Sequence, residues 1–165
     1  MENKIIDKII VYTDGGCRGN PGPGGWGVVF DWVNIESEKY NLKKTLSGSD
    51  KNTTNNKMEL TAAIQAIKYF HDFTGYFKKP VKLEIYTDSK YVQQGITQWI
   101  KSWKTRGWKN ASGQAVKNQD LWRQLDSLVC GSEDISWHWV KGHSGHAGKD
   151  YADRLANAAM DSIIY

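Results

Sequence analysis

The chain has 165 residues, 39% of them hydrophobic and 24% charged, which is enough for one packed core and too short for two comfortable domains. This composition excludes an intrinsically disordered chain, and a formal net charge of +4 is compatible with a polyanionic partner without requiring one. The two cysteines, Cys17 and Cys130, have no paired spacing, which argues against a disulfide framework or a cysteine-rich zinc site and for a reducing, cytoplasmic setting. The segment after Met1 lacks the apolar run of a secretion signal, and no stretch approaches a membrane span. No solenoid period or low-complexity tract interrupts the chain.

In chain order, Ile5 to Asp14 is a β-rich run ending in Tyr12-Thr13-Asp14. A glycine-rich turn from Gly15 to Gly25 follows, then strand-like runs at Trp26 to Trp32 and Tyr40 to Ser47, predicting an antiparallel meander. Asn52 to Asn56 introduces a helix to about His71, and Val81 to Thr87 reads as a strand. Helix is expected from Ser89 onward and over Gln119 to Val129, a short strand over Ile135 to Val140, and a last helix from Gly148 to Asp161. The order β-β-β-α-β-α-α-β-α predicts an α/β fold. Its sheet is mixed, three antiparallel strands followed by parallel ones, with helices on both faces.

Three carboxylates attract attention by pattern. Tyr12-Thr13-Asp14 and Tyr86-Thr87-Asp88 repeat one tripeptide at two strand ends, the edge where α/β sheets place ligands. Asp after a strand often only caps a turn, so either residue alone carries little weight. Parallel neighbours would bring the two carboxylates together, where a divalent cation would relieve their repulsion. On the helix after Asn56, Lys57, Thr61, Gln65 and Lys68 form a polar stripe opposite Leu60, Ala63, Ile67 and Phe70. Glu59 falls on the core side, where an ionised carboxylate needs compensation. A shared metal would provide it. Asp153 falls with Lys149, Asp150 and Asn157 on the polar side of the last helix, and by pattern alone reads as a solvated surface residue.

From Lys90 to Gln119 there is no acidic residue, while Lys90, Lys101, Lys104, Arg106, Lys109 and Lys117 are interleaved with Trp99, Trp103 and Trp108. Cations can hold phosphates and aromatic faces can stack on bases or sugars, although some of these tryptophans are expected to pack inward. His143, in the small-residue loop after Val140, is placed to move protons near neutral pH or to stand idle. With His146 it offers too few ligands for zinc.

Together these residues resemble type 1 ribonuclease H, the bacterial single-domain form. The resemblance rests on Tyr-Thr-Asp-Gly-Gly-Cys-Arg-Gly-Asn-Pro-Gly-Pro-Gly-Gly-Trp-Gly from Tyr12, Thr-Thr-Asn-Asn-Lys-Met-Glu-Leu from Thr53, and Tyr-Thr-Asp-Ser from Tyr86. Gln-Gly-Ile-Thr-Gln-Trp-Ile from Gln94, Val-Lys-Asn-Gln-Asp-Leu-Trp from Val116 and Trp-Val-Lys-Gly-His-Ser-Gly-His from Trp139 extend it over nearly the whole chain. It implies a ribonuclease H-like fold with a five-stranded mixed sheet. It also implies one domain over 1–165 with a basic, Trp-rich handle at about 97–118.

The activity implied is sequence-nonspecific hydrolysis of the RNA strand of RNA–DNA hybrids. Two Mg²⁺ ions, replaceable by Mn²⁺, would support in-line attack that leaves 5′-phosphate and 3′-hydroxyl ends. The resemblance assigns Asp14, Glu59, Asp88 and Asp153 to catalysis and metal binding, and His143 to proton transfer or product release. It places Cys17, Asn20, Asn55 and Asn56 at the RNA backbone and minor groove, and Thr54 in a DNA-phosphate pocket. Trp99, Lys101, Trp103, Lys104 and Arg106 fall in the handle that grips the DNA strand. Two positions depart from the family pattern. Lys149-Asp150 replaces a common Asn-Glu, and Lys90 stands where a Gln commonly touches RNA. A monomer without protein partners or membrane is expected. The alternatives are an integrase- or transposase-like DNA nuclease, a non-catalytic hybrid-binding module, or a domain from a reverse transcriptase.

Overall fold

The computed structural model describes residues 6–34, 40–75, 80–132, 134–142 and 145–163. Three antiparallel strands come first: β1 (Ile6–Cys17), β2 (Gly22–Asn34) and β3 (Tyr40–Thr53). Helix α1 (Asn55–Thr74) leads to β4 (Lys82–Thr87), which lies parallel to β1. Short helices α2 (Lys90–Gln94) and α3 (Ile100–Thr105) flank a π-helical turn at Gly95–Trp99. Helix α4 (Gln119–Val129), strand β5 (Ile135–Trp139) and helix α5 (Ala147–Asp161) follow. The sheet order is β3-β2-β1-β4-β5, with β5 parallel to β4. No helix of the described residues is long and apolar enough to cross a membrane.

Strand alternation divides the core between two faces. Ile9 and Val11 of β1, Val28 and Phe30 of β2, and Leu83 and Ile85 of β4 pack with Leu60, Ile64, Ile67 and Phe70 of α1 and with Trp122 and Leu125 of α4. The intervening residues point the other way. Tyr12 and Val29 there meet Ala152, with Ile10, Tyr86, Tyr151 and Leu155 around them. Each fully buried aliphatic or aromatic side chain contributes roughly 1.5–3 kcal/mol, so the larger first face is the main source of stability. Thr54 caps α1, its hydroxyl oxygen accepting from Lys57 N–H at 3.2 Å.

Two elements differ from the sequence expectation. The glycine-rich turn is mostly strand: Gly15 pairs with Trp26, Gly16 with Gly25 and Cys17 with Gly24, which leaves only 18–21 as the turn. Glycines that look like loop residues hold the ladder here because neighbouring helices press on them. The helix expected after Ser89 is present over 90–105, but a π turn at Gly95–Trp99 changes its register midway. Beyond the turn Ile100 is buried and Trp103 packs on Trp122, while Lys101, Ser102 and Lys104 stay exposed.

Candidate active site

The two Tyr-Thr-Asp tripeptides stand side by side. β1 and β4 pair with Tyr12 opposite Tyr86, their rings 5.4 Å apart, and Asp14 and Asp88 follow two residues later. Asp88 lies just past the end of β4, but Asp14 lies inside β1, which runs on to Cys17 against β2, so the expected strand end after Asp14 is only the point where pairing with β4 stops. The turn beyond β4 is held by its own side chains. Thr87 Oγ1 accepts from Ser89 N–H at 3.0 Å, Ser89 Oγ accepts from Val92 N–H at 3.1 Å, and Trp139 Nε1 donates to the Asp88 carbonyl at 2.9 Å. These contacts stop the strand where Asp88 can face Asp14.

Glu59 reaches the same place because α1 crosses almost in contact with β1. A Cβ on Gly15 would collide with the backbone of Met58 and Glu59, so only glycine allows this approach directly after Asp14. Asp14, Glu59 and Asp88 each present a carboxylate oxygen, and the three oxygens lie within 4.8 Å of one another. Asp14 is 6% exposed and Glu59 8%. Glu59 Oε2 is buried and meets no hydrogen-bond partner among the described residues. A buried carboxylate oxygen beside two others, without a donor, fits a divalent cation as its missing partner.

Helix α5 closes the site from the opposite face. It lies so close to β2 that a Cβ on Gly27 would overlap the carbonyl oxygen of Ala152. The first turns of its polar stripe, at Lys149 and Asp153, therefore face the carboxylate centre, while Asn157 further along is exposed, which corrects the pattern reading of Asp153 as a solvated surface residue. Asp153 is half-buried and lines a small cleft with Asp88, Lys149 and Asp150. Lys149, which the sequence pattern also left on the polar side, is only 2% exposed. Its Nζ stands 2.7 Å from Asp14 Oδ1 and 3.3 Å from Asp88 Oδ2. Sequence reasoning missed this contact. The available signal was the departure at Lys149-Asp150 itself.

The electrostatics follow from crowding. Burial is the main reason that Asp14 is raised from 3.8 to about 6; Lys149 opposes the rise, and the Asp88 charge and the Asp153 carboxyl add to it. Glu59 is raised well above its ordinary value, chiefly by burial and then by the charges of Asp14 and Asp88. Burial acts to lower Lys149, but the surrounding carboxylates of Asp14, Asp88 and Glu59 outweigh it and raise its pKa. The site can thus take up positive charge, and one ammonium already sits in it.

The remaining candidates surround this centre unevenly. Cys17 Sγ contacts the carbonyl oxygens of Gly22 and Thr53 at 3.3 and 3.2 Å. Asn20 Oδ1 accepts from Asn55 N–H at 2.9 Å, bringing Asn20, Thr54, Asn55 and Asn56 to one corner at the start of α1. In the basic segment Lys101, Lys104 and Arg106 are exposed, whereas Trp99, Trp103 and Trp108 are half-buried. Trp103 packs edge-on against buried Trp122 and tilts against Trp99. Lys104 pairs with Asp126 at 3.2 Å. Lys90 Nζ lies 4.9 Å from the centre of the Trp139 ring, beside the Asp88 turn. His143 lies outside the described residues.

Comparison with known proteins agrees with this architecture. The RNase H family model matches residues 7–161. A ribonuclease H of Ruthia magnifica subsp. Calyptogena magnifica is 52% identical over 159 residues, covering 96% of this chain and 99% of that one. The solved structure of LC9-RNase H1, a type 1 RNase H with the type 2 active-site motif, is similar at a TM-score of 0.81 and 34% identity, over 97% of this chain and 75% of that one. LC11-RNase H1, solved in complex with an RNA/DNA hybrid, shares the fold at a TM-score of 0.66 and 24% identity, over 93% and 96% of the two chains. With its five-stranded sheet, its three converging carboxylates and these matches over nearly its full length, the chain belongs to the RNase H family.

Proposed function

We propose that the chain hydrolyses the RNA strand of RNA–DNA hybrids with Mg²⁺ ions held by Asp14, Glu59, Asp88 and Asp153. The observation that carries this reading is the convergence of buried Asp14 and Glu59 with half-buried Asp88 within 4.8 Å, with Glu59 Oε2 lacking a partner among the described residues. Bound there, divalent cations supply Lewis-acid activation of water and charge neutralisation at the scissile phosphate. A water oxygen attacks phosphorus and the bond to the 3′ oxygen breaks. That oxygen takes up a proton, leaving 5′-phosphate and 3′-hydroxyl ends. His143 is the group proposed to assist this proton transfer or the release of product, while Asp153, at the rim of the cleft, completes the carboxylate set.

Substrate choice is assigned to the surroundings. With its amide oxygen held by Asn55 N–H, Asn20 keeps its amide nitrogen as a donor toward the RNA strand. Cys17, Asn55, Asn56 and Lys90 extend that edge, where 2′-hydroxyls distinguish RNA from DNA. Thr54 uses its oxygen as a cap acceptor, which leaves its hydroxyl proton for a DNA phosphate. The handle, with Trp99, Trp103, Lys101, Lys104 and Arg106, grips the DNA strand. These are backbone contacts, so cutting is indifferent to base sequence. The two free cysteines suit a reducing compartment such as the cytoplasm.

The test is incubation of end-labelled hybrid, duplex RNA and duplex DNA with Mg²⁺ or with chelator. Loss of RNA from the hybrid alone, and only with metal, is expected. Cleavage of duplex DNA would favour an integrase-like nuclease, and hybrid binding without cutting would favour a binding module.

A further inference from the structure

Lys149 is buried to 2% exposure, and its ammonium contacts Asp14 Oδ1 at 2.7 Å and Asp88 Oδ2 at 3.3 Å. These are two of the three carboxylates that converge within 4.8 Å. A long, rotamer-rich cation is rarely this buried, and it remains so only when charge pairing offsets the loss of hydration. Here the pairing comes from the groups proposed to hold metal. We propose that Lys149 is an intramolecular counter-ion of the carboxylate set. Its ammonium holds Asp14 and Asp88 together in the metal-free chain, and divalent cations compete with it for those oxygens. This inference rests on the metal reading given above.

The physical case follows from charge and connectivity. Without metal, the ionised carboxylates of Asp14 and Asp88, which converge with Glu59 within 4.8 Å, would repel. An ammonium between them removes most of this cost. It also fastens α5, the helix packed on the second face of the sheet, to β1 at Asp14 and to the turn just after β4 at Asp88. The same contacts oppose metal entry, because a divalent cation brought to these carboxylates meets a positive charge within the same few ångströms. Lys149 would therefore act as a positioning residue: it orders the site before metal arrives and weakens the affinity with which metal is held.

The test compares the wild-type chain with Lys149→Met, which keeps the alkyl stem without the charge, and with Lys149→Asn. Mn²⁺ binding is measured by calorimetry without nucleic acid. Both variants are expected to bind on the order of tenfold or more tightly than wild type. In chelator both should melt at lower temperature than wild type and gain more from added Mg²⁺. A merely structural ion pair would lower the melting temperature without moving the metal affinity. Wild-type Mn²⁺ affinity in both variants would overturn the counter-ion role and leave the metal reading standing. Absence of Mn²⁺ binding in the wild type and in both variants would overturn the metal reading itself.

If neither variant folds, nitrogen-15 NMR of the wild-type lysine ammonium groups decides the matter. A protected Lys149 signal in chelator that shifts or vanishes as Mg²⁺ is added is expected. A signal unchanged at saturating Mg²⁺ would overturn the proposal.

Discussion

The carboxylate centre and the basic segment carry opposite charge and handle it in opposite ways. At the centre Asp14 and Glu59 are buried, and an equally buried Lys149 lies within hydrogen-bond reach of Asp14, so each charge depends on its neighbours. In the basic segment Lys101, Lys104 and Arg106 are exposed, and the sole ion pair described among them, Lys104 with Asp126, is open to screening. What that segment packs inward is apolar: Ile100 and Val116 are buried, and half-buried Trp103 and Trp108 lie against Trp122 and beneath the Arg123 guanidinium. Coupled, desolvated charge gives large responses to single changes, and exposed charge gives small ones that salt erodes.

This contrast can be broken most directly at Asp88. Asp88→Asn should lower hybrid cleavage by on the order of 10⁴-fold or more, because the carboxylates act as a unit. Hybrid binding in chelator should survive, as measured by gel shift, and substantial residual cutting would mean that the centre does not work as a shared site. Gly15→Ala is next in size. Its Cβ would overlap the backbone of Met58 and Glu59, so a stability loss of about 3 kcal/mol is expected in urea unfolding. Cleavage should fall further than stability alone requires, since Glu59 must move.

A third effect is set by pH. Asp14 is raised to about 6, so the native chain holds a proton there that the unfolded chain releases near 3.8. Its contribution to metal-free stability is present below 3.8 and is lost as pH rises through about 6. Melting in chelator between these limits should show that decline, and Asp14→Asn should reduce it, leaving the part of the same sign that comes from the raised Glu59. Metal binding needs the ionised form, so apparent Mg²⁺ affinity should fall as pH drops through about 6. The smallest effect belongs to the basic segment. Lys101→Ala and Arg106→Ala should each weaken hybrid binding only a few-fold and reduce its salt slope by about one. A salt-independent loss would place these side chains in packing and not at a phosphate.

Much of the architecture was legible in the residues. The repeated Tyr-Thr-Asp at two strand ends and Glu59 on an apolar helix stripe pointed to one site, and the sheet pairs Tyr12 with Tyr86 as that repeat requires. Strand and helix periodicity report which face of an element is apolar, and that information is local. Asp153 and Lys149 show where such information stops. On α5 they share a polar stripe, and hydropathy alone does not distinguish a stripe facing water from one facing a buried charged centre.

By itself the sequence determined the elements, their apolar faces and, through long matching motifs, the family. Only the tertiary structure decided which polar groups share a dry site, because burial is set by what packs opposite a residue. Gly15 admits α1 and Gly27 admits α5, so Asp14, Glu59 and Lys149 from three separate elements are drawn out of water together beside half-buried Asp88. Desolvation then makes their charges interact strongly, a property that no residue holds alone.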